Sequence, residues 1–179
     1  MIPVAGTYPI GPTTGDLVLR TSTEGPMAAA GHDLVLVVED WDGQLVIGET
    51  PAASSLRVTV NLGSLAVRSS HGGAKPMSDR DRAAILKNAA QALGVSSAPE
   101  MTFTSTAVEG TWQEGRLEGS LTLHGRTEVQ QFEVDSPHEG EFRLTGTISQ
   151  TRFGIKPYSL MMGALRVGDD VDVEVSVRL

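Results

Sequence analysis

The sequence contains no cysteine. That excludes disulfides, thiol nucleophiles and thiolate metal sites together, and it fits a reducing compartment without requiring one. Aromatic residues make up only 4% of the chain, fewer than expected of a barrel that fills itself with large rings. Positive charge is also scarce: 14 Lys and Arg stand against 22 Asp and Glu, for a net charge of −8. Phosphate backbones demand a basic face, so a nucleic-acid partner is excluded, and adsorption to anionic membranes is disfavoured. The longest purely aliphatic run, residues 34–38, is far short of the ~20 residues of a membrane span. Residues 1–16, MIPVAGTYPIGPTTGD, show neither the basic n-region nor the apolar h-region of a secretory signal, and a cytoplasmic location is expected. The four histidines, His32, His71, His124 and His138, have no HxH or HxxxH spacing and supply no cluster of three or four zinc ligands. No metal and no cofactor are expected.

The 179 residues, 40% of them hydrophobic, suit one domain over residues 1–179 with a sizeable core. The clearest pattern lies at residues 119–134, GSLTLHGRTEVQQFEV. Leu117, Gly119, Leu121 and Leu123 share one face, and Glu118, Ser120, Thr122 and His124 share the other. This period of two marks a half-buried strand. His124-Gly125 supplies a tight turn, since Gly accepts positive φ at no steric cost. The chain then returns with Gln130, Phe132 and Val134 on one face.

Other segments repeat the pattern. Residues 1–15 read as an irregular lead-in, and Leu17 and Leu19 as part of a first strand. Residues 32–41 are rich in β-branched residues and apolar on both faces, and Asp42-Gly43 is expected to turn them into a hairpin with residues 44–48. Leu56, Val58, Val60 and Leu62 alternate with polar residues, and residues 64–68 continue the meander. Met101, Phe103, Ser105 and Ala107 are expected to share a face. Phe142, Leu144 and Ile148 alternate, as do Val171, Val173, Val175 and Val177. One helix is expected, beginning at Ser78, which forms a capping box with Asp81. Its stripe is Leu86, Ala89, Ala90 and Leu93, and Gly94 ends it. About eight strands with one inserted helix make an all-β protein. Such a sheet closes on itself to remove its edges, which gives an antiparallel barrel with room for side chains or one narrow ligand. Periodicity alone also fits a β-sandwich.

Four sets of residues are candidates for function. The inward faces include Leu34, Leu36, Phe103, Leu121, Leu123, Phe132, Phe142, Leu144 and Ile148; they either fill a core or line a cavity. The loop carrying Tyr158, Met161 and Met162 is unusually apolar, and flexible methionines suit an irregular apolar ligand. His32 beside Asp33 is a polar anchor, a structural hydrogen bond or half of an acid/base pair. Gln130 points inward by its phase, and a buried amide needs a partner, since leaving it bare costs about 1–3 kcal/mol.

The hairpin wording GSLTLHGRT resembles the late hairpin of the YceI-like family. Residues 30–41 (AGHDLVLVVEDW), 75–82 (KPMSDRDR) and 153–175 (FGIKPYSLMMGALRVGDDVDVEV) match a soluble, actinobacterial-looking branch of it. One departure is Gln130, where the family's second strand usually carries an aliphatic residue. The resemblance implies a lipocalin-like barrel that binds long apolar molecules such as polyisoprenoids. The expected function is therefore a non-enzymatic carrier of a long-chain apolar small molecule, an isoprenoid, fatty acid or fatty amide. The four sets above would contact that ligand. Two other readings stand beside it. One is an enzyme on the same barrel using His32 and Asp33; the other is an interaction module with a filled core, a homodimer among its forms.

Overall fold

The computed structural model describes residues 2–179. In chain order the strands are β1 (Gly6–Ile10), β2 (Gly15–Thr21), β3 (Thr23–Glu24), β4 (His32–Val38), β5 (Trp41–Ile47), β6 (Ser55–Asn61) and β7 (Leu65–Gly72). The helix α1 (Asp79–Leu93) follows, then β8 (Glu100–Gly110), β9 (Glu114–Leu123), β10 (Arg126–Asp135), β11 (Glu141–Ser149), β12 (Ser159–Leu160), β13 (Leu165–Val167) and β14 (Asp170–Arg178). Eleven of them form one antiparallel sheet in the order β1-β5-β6-β8-β9-β10-β11-β14-β2-β4-β7, and β12-β13-β3 form a small second sheet. The large sheet curls round an apolar core that takes in Leu17, Phe103, Leu121, Phe132 and Val173.

The fold is all-β with one helix, as the alternation implies. Eleven strands replace the expected count of about eight, because bends divide long runs. The chain bends at residues 11–14 between β1 and β2, at Glu39-Asp40 between β4 and β5, and at Leu62–Ser64 between β6 and β7. The lead-in is also more ordered than its Pro and Gly content suggests. β1 pairs with β5, Pro9 opposite Gln44, at one end of the sheet order, where proline is tolerated.

Asp42-Gly43 is not a turn. Both residues lie within β5, and the chain reverses only after Ile47, to pair β6 against β5; at Glu39-Asp40 it merely bends, and there both backbone amides donate to Ser64 and the Asp40 carbonyl accepts from Asn61. Gly43 is needed for a close approach instead: a Cβ there would stand 2.6 Å from the Arg57 carbonyl and 3.0 Å from Ile10 Cγ1.

The central hairpin follows the sequence pattern. Leu117, Gly119, Leu121 and Leu123 are all buried, and His124 (φ 54°) and Gly125 (φ 73°) both adopt the left-handed conformation of a two-residue type I′ turn. β8 departs from its expected phase. The register with β9 slips between Ser105 and Ala107, so Ala107 is exposed and Val108 packs against the core instead. A β-bulge of this kind inserts one residue and reverses the faces beyond it.

The capping box on α1 is complete. Ser78 Oγ accepts from the Asp81 amide at 3.2 Å, and Asp81 Oδ2 accepts from the Ser78 amide at 2.9 Å. Gly94 closes the helix with φ 65°. The His124 ring, beside the tight turn, donates from Nδ1 to the Leu93 carbonyl at 3.0 Å and satisfies an open helix-end acceptor. The helix is thereby tied at both ends, yet none of its residues is buried.

Candidate functional site: two apolar cavities

The concave side of the sheet encloses two apolar cavities. The smaller, about 140 Å³, lies between strands of nearly the whole sheet; Leu56, Phe103, Leu121, Phe132, Phe142 and Leu144 are among its walls. Its lining also takes in Glu109, Thr111 and Glu114, at the end of β8, in the β8–β9 connection and at the start of β9, all exposed. The larger, about 300 Å³, lies under α1 and is walled by Leu34, Leu36, Leu123 and Ile155 among others. The helix contributes Ile85, Asn88, Ala89, Ala92 and Leu93. Their spacing of i, i+3, i+4, i+7, i+8 is one face of a helix. This stripe is rotated from the expected one and shares only Ala89 and Leu93 with it. Because the face looks onto a cavity rather than onto packed side chains, its residues stay half-buried.

Strand alternation puts the wall residues in place, and two glycines adjust them. Phe103 on β8 and Phe132 on β10 meet edge to face, their ring centroids 5.3 Å apart at 84°. Between them on β9 is Gly119, where a Cβ would stand 2.5 Å from Phe103 Cζ and 2.5 Å from the Thr104 carbonyl. On the far side a Cβ at Gly146 would stand 2.6 Å from Phe132 Cδ1. These small inward residues let two rings pack; they do not leave the space empty.

The other candidate residues divide. Ile148 lines both cavities, and His32 and Tyr158 line the larger. His32 Nε2 donates to the Lys75 carbonyl at 2.9 Å, which commits that nitrogen to a backbone acceptor. Asp33 lies on the opposite face of β4, where its Oδ1 accepts from the Thr23 amide at 2.8 Å and the Thr23 hydroxyl at 3.0 Å. Neighbours on a strand point to opposite sides, so the two do not form an acid/base pair.

Gln130, Met161 and Met162 line neither cavity. Gln130 is only 5% exposed, and its Nε2 donates to the carbonyls of Gln131 and Thr147, each at 3.0 Å. The ladder between β10 and β11 covers only residues 133–135 and 143–145. Beyond it, the Gln130 amide bridges the two strands in place of backbone bonds. Its Oε1 has no hydrogen-bond partner among the described residues. The 3₁₀ turn Gln150–Phe153 lies against the same part of β10, with Arg152 donating to the Val129 carbonyl at 2.9 Å. Met161 and Met162 point outward from their loop at 65% and 106% exposure, both with left-handed φ. Tyr158 and Leu160 of the same loop do reach the wall of the larger cavity.

Sequence reasoning missed Phe153 and Ile155, which at 0% and 1% exposure are among the most deeply buried side chains. They lie in a stretch punctuated by Gly154 and Pro157 that has no alternation to reveal them. Leu17, Leu19 and Met101 were also missed as cavity residues. Their signal was available in the inward phase of β2 and β8. Among the described residues there is no group of three or more His, Asp or Glu able to hold a metal ion, and no helix is long and apolar enough to cross a membrane.

A family model described as a YceI-like domain matches residues 22–179. The Protein YceI sequences of Salmonella arizonae and Salmonella paratyphi B are each 27% identical over 146 residues, spanning 78% of this chain and 70% of theirs. The crystal structure of Burkholderia cenocepacia BcnA superposes with a TM-score of 0.69 at 14% identity, over 91% of this chain and 94% of that one. The Campylobacter jejuni YCEI protein gives a TM-score of 0.58 at 18% identity, over 84% of each chain.

Proposed function

The chain belongs to the YceI-like family, and from that premise we propose that it is a non-enzymatic carrier holding one long, mainly apolar molecule in its two cavities. An isoprenoid, a fatty acid or a fatty amide has the required chemistry. The observation that carries this reading is the make-up of the walls, which are predominantly aliphatic and aromatic side chains in both cavities. A dry cavity of about 150 Å³ holds a benzene-sized group, so the smaller cavity suits a short stretch of chain. Taken with the larger one, the volume falls within the ~300–1,000 Å³ typical of small-molecule sites.

A lipocalin-like barrel is part of the proposal. What supports it is the pairing. β1 and β2 run on as one bent strand, as do β4 with β5 and β6 with β7. The eleven strands then reduce to eight runs, each paired on both sides. The energetics agree with a carrier. Ten buried methylenes contribute about 8 kcal/mol, and association costs of about 4 kcal/mol or more offset part of it.

Native mass spectrometry of the purified protein, followed by solvent extraction, tests the proposal. The expected result is a fraction heavier than the chain by one apolar molecule, which extraction releases. A protein that emerges with the mass of the chain alone, and takes up no long-chain lipid when incubated with it, overturns the reading.

A further inference from the structure

The two cavities have five wall residues in common: Leu17, Leu19, Met101, Ile148 and Val173. Residues that face both spaces stand between them. We infer that Met101 is the movable part of this partition and sets the length of chain the protein accepts, an inference that rests on the carrier reading above.

Four of the five are fixed by their setting. Leu19 lies opposite Val173 on one side and Leu36 on the other, so Leu19 and Val173 are both held in a continuous ladder. Ile148 is paired with Val171, and Ile and Val are β-branched and stiff at χ1. Leu17 is almost fully buried. Met101, half-buried like Leu19 and Ile148, differs in its side chain and in its place near the end of its strand. It is the second residue of β8 and lies opposite Val60 of β6, while the pairing of β8 with β9 begins only at Thr102. It is half-buried, with cavity on two sides. Its side chain is unbranched, with three rotatable bonds, and changes shape at little cost.

A chain entering beneath α1 fills the larger cavity first and meets the partition at its inner end. A short chain stops there. A longer chain swings the Met101 side chain aside and continues into the smaller cavity between Phe103 and Phe142. The partition therefore does not limit short ligands; it sets how affinity grows with length.

Displacement of a fluorescent fatty-acid probe by straight-chain fatty acids of about eight to twenty carbons tests this in wild type, Met101→Ala and Met101→Ile. Each buried methylene adds about fourfold in affinity. Wild type is expected to gain about fourfold per carbon until the larger cavity is full, and less per carbon beyond that point. Met101→Ala opens the partition, so the full gain continues through the longer chains. Met101→Ile puts a stiff side chain of similar size in its place, so affinity levels off. Each protein's length profile is read relative to its own affinity for the shortest chain, so a change made in the wall of the larger cavity itself does not enter the comparison. Identical relative length profiles in the three proteins overturn the role of Met101 and leave the carrier reading standing. No displacement at any length in any of the three removes the carrier reading, and this inference with it.

Discussion

The rings of Phe103 and Phe132 meet edge to face across Gly119, at 5.3 Å between centroids. Such a pair adds about 0.5–1.5 kcal/mol beyond the area it buries, and it forms only because the strand between the rings carries no side chain at that point. Phe132→Ala is expected to cost about 3–5 kcal/mol, as for other buried Phe truncations. Gly119→Ala is expected to cost about 1–3 kcal/mol, because the new methyl would press on a backbone carbonyl that cannot move aside. Urea unfolding measures both. An unchanged midpoint for either would mean that the two rings do not pack against each other across Gly119.

Gln130 is buried as its phase implies, but its amide serves the fold. Gln130→Leu removes two hydrogen bonds to strand carbonyls and also removes an oxygen without a partner, so the net loss is expected to be about 1–2 kcal/mol. Affinity for a long-chain ligand should stay within about twofold of wild type. Unfolding and displacement assays on the same preparation check the two halves separately. A tenfold loss of affinity would restore Gln130 as a ligand contact.

His32 separates the carrier from an enzyme. Its Nε2 is engaged by the Lys75 carbonyl and its neighbour Asp33 by Thr23. At most one further hydrogen bond is left for a head group, worth about 0.5–1.5 kcal/mol. His32→Ala should therefore weaken binding about tenfold or less. A hydrolase and isomerase screen of wild type and variant is expected to show no turnover. Turnover in wild type that falls a hundredfold or more in the variant, the usual range for a lost acid or base, would overturn the carrier reading.

Asp81 gives α1 a dependence on acid. The Ser78 amide and then the Ser78 hydroxyl hold its carboxyl below the usual carboxylate range. A pKa lowered by folding means that the ionised form supports the folded state. The support is fully present above the ordinary pKa of about 4 and is lost as pH falls through the lower, folded value. Asp81→Ala is expected to speed amide hydrogen exchange in α1 at neutral pH, and the difference from wild type should narrow as the solution is acidified. A difference that stays constant with pH would show that the carboxylate is not the group responsible.

Strand phase was legible wherever one face is buried and the other solvated. β9 and β14 follow their sequence pattern residue by residue, and the helix caps match because capping is local chemistry. The bends were not legible, because bonds between residues distant in sequence fix them. Ser64 holds the bend at Asp40, and no signal near Asp40 reveals it. The bulge in β8 has the same character: it moves Ala107 outward without a glycine to mark it. Phe153 and Ile155 were hidden because their stretch, broken by Gly154 and Pro157, has no alternation, and tertiary packing alone buries them. The apolar loop at Met161 and Met162 reads as a ligand contact by composition, yet its backbone turns those side chains outward.

The most direct test is occupancy of the larger cavity. Ala92 on α1 lines that cavity and is half-buried, so Ala92→Phe inserts a ring into the space with little demand on the rest of the fold. Binding of a fluorescent long-chain fatty acid is measured in wild type and in this variant. Saturable binding at one site in wild type is expected, weakened about tenfold or more by Ala92→Phe with the unfolding midpoint held. Equal affinity in the two proteins would contradict a ligand inside the cavity, and with it the carrier reading.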